Sequence, residues 1–184
     1  LLQSSAASDV YKRQILDSHF NYIYYPVIDV AAHVYGTNSD EWQNEVNIFS
    51  EFLSRMIKID SNRYTCITAD HGVVNIEDQN KFRLEYDESV KIYGDQRAVY
   101  INGEVEKIEK VFKNVPGYFL EKEEIISLLG TPTNEDIKNF YPEQIFLLDD
   151  GNIIFPNHLS ANLKGYHGGI SKTEVSIPLI EIIN

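Results

Sequence analysis

Tyr64-Thr-Cys-Ile-Thr-Ala69 is a short run of aromatic, β-branched and small residues, and it leads straight into Asp70-His71-Gly72. The run has the composition of a buried core strand. An acid and an imidazole follow at its carboxyl end, and Gly72 lets the chain turn there. Open α/β sheets place their chemistry at the carboxyl ends of strands, so this segment predicts a sheet with its site at one rim. Two other groups match it, Asp29-Val-Ala-Ala-His33 upstream and Gly165-Tyr-His167-Gly-Gly169 downstream.

A strand of that kind needs layers around it. At 184 residues, 43% apolar and 24% charged, the chain can build one ordinary domain with a real core. No apolar run approaches the roughly 20 residues of a membrane helix. The net charge is −12, from 16 basic and 28 acidic side chains, which argues against nucleic acid held by its backbone charge. A small phosphorylated substrate remains compatible, because a metal ion inverts the field locally. Cys66 is the single cysteine, so no internal disulfide forms. Its place in an apolar strand predicts a buried, inert thiol. A reducing compartment is compatible with this, and a cytoplasmic location is the expectation.

Strand and helix patterns alternate along the chain. Asn21–Ile28 (NYIYYPVI) reads as a strand broken near Pro26 and running into Asp29. Between Asp40 and Lys58, Trp42, Val46, Phe49, Leu53 and Met56 recur at helical spacing, with Ser39 and Asp40 available as caps. Residues 77–94 read as a polar loop. Arg97–Asn102 is a strand, closed by Asn102-Gly103 as a hairpin turn. Helical periods cover residues 104–113 and 121–129, and Pro132 and Pro142 bracket a third short helix. Ile145–Leu148 is a short strand before an Asp149–Asn152 turn, and residues 178–183 close the chain as a buried strand. The alternation indicates a layered α/β fold.

Three groups of residues carry chemistry. On a helix, Asp29 and His33 project from one face and can share a cation such as zinc. Taken alone they read rather as a capping acid and a surface histidine. Asp70 and His71 are adjacent and need a bend at Gly72 to converge; the plain alternative is a polar turn. Glycines around His167 imply close approach of backbone, or else a flexible loop. Ser171-Lys-Thr-Glu174 looks like a capping box opening a short helix. His19 and His158 read as surface or loop histidines. Arg97 could pair a phosphate, but anchoring a carboxylate is the better use of a guanidinium there.

Taken in order, Asp29-x-x-x-His33 with Tyr35-Gly36, Thr68-Ala-Asp70-His71-Gly72, and Gly165-Tyr-His167-Gly-Gly-Ile-Ser-Lys-Thr-Glu174 resemble the alkaline phosphatase superfamily, in particular its type I phosphodiesterase/nucleotide pyrophosphatase branch. The Gly94-Asp-Gln-Arg97-Ala-Val-Tyr segment and the closing Ile177-Pro178 fit as well. The resemblance spans Asn21 to Asn184. It implies the C-terminal part of an α/β/α sandwich with a mainly parallel central sheet. It also implies hydrolysis of phosphodiester or pyrophosphate bonds, with two divalent metal ions, zinc by family habit. Asp29, His33 and His167 would hold one ion, and Asp70 and His71 the other. A phosphonate hydrolase, a sulfatase-like enzyme, a mutase and an inactive metal-binding fragment are the alternatives.

The same comparison shapes what is expected of the ends. Residues 1–14 read as a non-native extension, and 15–184 as the C-terminal half of the catalytic domain. The family's Thr or Ser nucleophile is expected in a preceding segment. Ala32 and Thr37 stand where relatives commonly carry Gly and Pro, and both read as packing changes.

Overall fold

In the computed structural model, residues 20–59, 64–156 and 162–183 can be described. The segment 1–14, His19 and His158 lie outside them. Pro26 opens helix α1 (Val27–Tyr35), where a missing N–H costs nothing because the first helical turn has no partner for it. The helix ends at Gly36, whose N–H reaches the Ala32 carbonyl at 2.9 Å. Helix α2 (Asp40–Ile59) follows at once and packs on α1. Ser39 starts it, its hydroxyl accepting the Trp42 N–H at 3.1 Å. Tyr25 lies against Phe49, their ring centroids 4.9 Å apart.

Among the described residues, ten short strands then form four sheets. β1 (Tyr64–Thr68) pairs with β10 (Leu179–Ile183), and β2 (Val74–Asn75) pairs with β9 (Gly165–Tyr166). β3 (Lys81–Leu84) runs parallel to β8 (Ile153–Pro156). The largest sheet has the order β4-β5-β7-β6, from β4 (Val90–Gly94), β5 (Ala98–Gly103), β7 (Gln144–Leu148) and β6 (Gly117–Phe119).

Strand alternation gives this sheet two apolar faces. Val99, Ile101, Phe146 and Leu148 meet Ile108 and Phe112 of helix α3 (Val105–Phe112). Ile145 and Leu147 face the other way, onto Leu120 and onto Ile125 within helix α4 (Lys122–Leu129). A helix, a sheet and a helix make three layers. Two short helices, α5 (Glu135–Lys138) and α6 (Lys172–Val175), complete the described elements. No helix among the described residues is long and apolar enough to cross a membrane.

The α/β class holds, but several expectations need correcting. The mainly parallel sheet is not found among the described strands: only β3–β8 is parallel. Asp95–Arg97 alone joins β4 to β5, and so short a connection allows only an antiparallel pair. Asn21–Ile28 is not a strand. Its aromatic residues find no ladder, and from Val27 onward it is helix. The supposed loop at 77–94 holds β3 and β4, with a 3₁₀ turn (Asp78–Asn80) before them. Asn102-Gly103 is no hairpin turn. Gly103 still pairs with Val90, and the Asn102 side-chain oxygen accepts from the Tyr93 hydroxyl and the Glu143 N–H. β1 and β10 form as predicted but are not buried, and Cys66 is exposed. Each has the other as its ladder partner, and no described layer covers the pair.

Candidate metal centre

Asp29 and His33 are one turn apart on α1, on the side that faces β9. The helix comes so close to β9 that a Cβ on Gly165 would lie 2.4 Å from the Ala32 carbonyl oxygen. Only glycine fits there. Two bonds exploit the approach. The Lys164 N–H donates to the His33 carbonyl at 2.8 Å, and His33 Nδ1–H donates to the Gly165 carbonyl at 2.8 Å. A carbonyl can only accept, so the second bond fixes the proton on Nδ1 and leaves Nε2 with its lone pair free. Thr37 adds a brace to β2: its N–H donates to Asn75 Oδ1 at 2.8 Å, a bond that proline could not make.

His167 follows β9 directly and completes a cluster. Asp29, His33 and His167 each offer a ligand atom, and these atoms lie within 4.8 Å of one another. The His33 and His167 ring centroids are 5.2 Å apart. Asp29 Oδ2 is 3.5 Å from His33 Nε2. Asp29 Oδ1 is buried and has no hydrogen-bond partner. A buried carboxylate oxygen without a donor is costly unless something cationic meets it. One carboxylate and two imidazoles of half-buried residues form a zinc-type donor set, so the residues present fit a divalent ion. Burial, and next the neighbouring His71, hold His167 below the ordinary histidine range, which keeps it neutral and able to ligate.

Asp70 and His71 are brought beside this triad without joining it. His71 stacks on His167 with centroids 3.6 Å apart and planes 20° from parallel. Its Nδ1 lies 3.1 Å from the Gly72 carbonyl, which again frees Nε2. Asp70 Oδ2 is 3.8 Å from that Nε2, but the Asp70 side chain is 75% exposed. Gly72 serves close approach, not a bend: it has no positive φ, and a Cβ there would lie 2.0 Å from the Thr173 carbonyl oxygen.

Two residues beside the site carry roles that sequence reading missed. Glu174 is not a capping-box residue. It is buried, takes a two-pronged bond from Arg97 at 2.6 and 2.9 Å, and accepts the Gly169 N–H at 2.9 Å. Its own carbonyl accepts the Gly72 N–H at 2.8 Å. The anchored carboxylate expected of Arg97 is therefore Glu174. Asp95 is the second residue, with Oδ2 3.5 Å from His167 Nδ1. Its only sequence signal is its place in the Gly94–Arg97 segment.

Comparison with known proteins bears on this geometry. The family model of the BREX system PglZ alkaline phosphatase-like domain matches residues 5–182. No curated protein matches the sequence significantly. Among solved structures, murine ectonucleotide pyrophosphatase/phosphodiesterase 5 superposes with a TM-score of 0.67 at 18% identity, covering 83% of this chain and 44% of its own. An inactive variant of the murine protein in complex with AMP gives 0.66 at 18% identity, with the same coverage. Phosphonoacetate hydrolase from Sinorhizobium meliloti 1021, bound to phosphonoacetate, gives 0.59 at 14%, covering 83% of this chain and 43% of its own. The chain thus spans less than half the length of the solved structures it matches, and at these identities the likeness is one of fold.

Proposed function

The chain belongs to the PglZ alkaline phosphatase-like domain family, and on that premise we propose that it supplies metal-binding residues to a phosphoesterase site acting on phosphodiester or pyrophosphate bonds. One observation carries the reading: Asp29, whose Oδ1 is buried and unpartnered, offers a carboxylate oxygen within 4.8 Å of the His33 and His167 ligand atoms. Asp29, His33 and His167 would hold one divalent ion, zinc by donor type. Asp70 and His71 would contribute to a second, with further ligands from other residues. Paired ions of this kind stabilise the attacking and leaving oxygens of an in-line displacement at phosphorus. The protein's part is to hold the His33 and His71 rings with Nδ1 at a carbonyl and Nε2 directed away from it. The likeness in fold to a nucleotide pyrophosphatase, and the AMP complex of the murine protein, support a nucleotide or other small phosphodiester as substrate.

The test is zinc titration of this chain, and hydrolysis of bis(4-nitrophenyl) phosphate by the purified protein with the expected nucleophile segment, beside 4-nitrophenyl phosphate and phosphonoacetate. Diester hydrolysis is expected to need zinc, to stop with a chelator, and to fall to background in His33→Ala. Preferential turnover of the monoester or of phosphonoacetate would move the reaction to another branch of the superfamily. Absence of zinc binding by calorimetry would remove the metal reading altogether.

A further inference from the structure

We propose that Asp95, in the three-residue turn between β4 and β5, is the positioning residue for His167. The inference rests on the metal reading above. A histidine that ligates through Nε2 needs its Nδ1–H accepted by something fixed, and a carboxylate is a common acceptor. Asp95 Oδ2 lies 3.5 Å from His167 Nδ1, within ion-pair range and a few tenths of an ångström outside hydrogen-bond length.

The carboxylate is itself aimed. Its Oδ1 accepts the Gln96 N–H at 2.7 Å, which leaves Oδ2 for the imidazole. The Asp95 N–H donates to the Ala98 carbonyl at 3.1 Å and closes the turn. The side chain lies against Gly168, where a Cβ would sit 2.3 Å from Asp95 Cγ. Gly168 also has φ 97°, a conformation that favours glycine. Two residues on, buried Arg97 grips Glu174, which accepts the Gly169 N–H. One turn therefore holds the His167 loop from both sides: Asp95 at the imidazole, and Arg97, through Glu174, at the backbone beyond it.

Three variants of the purified protein separate this from the underlying metal reading. His33→Ala tests the triad, Asp95→Ala removes the acceptor, and Asp95→Asn keeps its shape without charge. Zinc affinity is read by competition with a chromogenic chelator. The proton position on the His167 ring is read by nitrogen-15 NMR of the metal-free protein. Asp95→Ala is expected to bind zinc roughly 10–100-fold more weakly, with Asp95→Asn between it and wild type. In Asp95→Ala the His167 ring moves from Nδ1–H toward the Nε2–H tautomer, a change that a merely structural role would not produce. If His33→Ala loses zinc while Asp95→Ala retains wild-type affinity and tautomer, the positioning role is wrong and the metal site stands. If His33→Ala also retains zinc, the metal reading fails and this inference falls with it. Should Asp95→Ala fail to fold, the isosteric Asn variant decides by the same two readouts, and wild-type values in both overturn the proposal.

Discussion

The β4-β5-β7-β6 sheet and the β1–β10 ribbon are made of the same kinds of residue and end in opposite circumstances. Val99, Ile101, Ile145 and Leu147 are buried under helices on both faces. Tyr64, Leu179 and Ile183 of the ribbon are 59%, 68% and 81% exposed. β-branched and aromatic composition determines that a segment pairs, while burial depends on what lies over its faces. The contrast reaches the site. His167 leaves a strand that is pressed against α1 and held by the turn that starts β5. Asp70 stands at the exposed end of the ribbon. Two candidate ligand groups that look equivalent in sequence thus differ in how firmly they are held.

The strongest way to break this contrast is to cut the clamp. Arg97→Ala leaves Glu174 buried without its partner and should cost about 3–5 kcal/mol in urea unfolding. A cost like that of a surface substitution would mean that the clamp does not hold the site side together. Next come the two sheets themselves. Ile101 is fully buried, so Ile101→Ala should cost about 2–5 kcal/mol. Leu179→Ala in the ribbon should cost about 0.5 kcal/mol. Equal costs in thermal melts would show that the ribbon is covered in solution.

The smallest effect is in acid. Burial opposes the Glu174 charge, but Arg97, Ser171 and the Gly169 N–H outweigh it and hold its carboxyl below the ordinary value of 4.5. A depressed carboxylate adds stability that is present in full above the unfolded-chain value and is lost as pH falls through the folded one. Below pH 4.5, wild type should therefore lose stability more steeply than Glu174→Gln in urea titrations. Parallel slopes would mean that the pair contributes nothing to the acid limb.

Local patterns were legible, and long-range ones were not. The stripe from Trp42 to Met56, the strands at 64–68, 98–103 and 144–148, and the acid and imidazole on α1 all stand in the sequence as periods or compositions. The ordered motifs singled out the three residues that the fold brings together, although His167 lies far along the chain from the other two. Asp95 has no such signature, because its meaning comes from His167 packing beside it. Glu174 was misread for the same reason. Three residues from Ser171 it fits a cap, and only Arg97, 77 positions away, turns it into a buried anchor. The Asn21–Pro26 segment errs the other way: its residues favour a strand, but none of the described strands pairs with it.

Glu174 has one more consequence. Its carbonyl takes the Gly72 amide proton, while its carboxylate takes that of Gly169. These two amides belong to different loops, yet both are shielded by the same residue. In hydrogen exchange they should trade with solvent at a common rate, slower than the loop positions around them, because a single opening event must release both. That shared rate would time how often the Gly72 and Gly169 loops come apart.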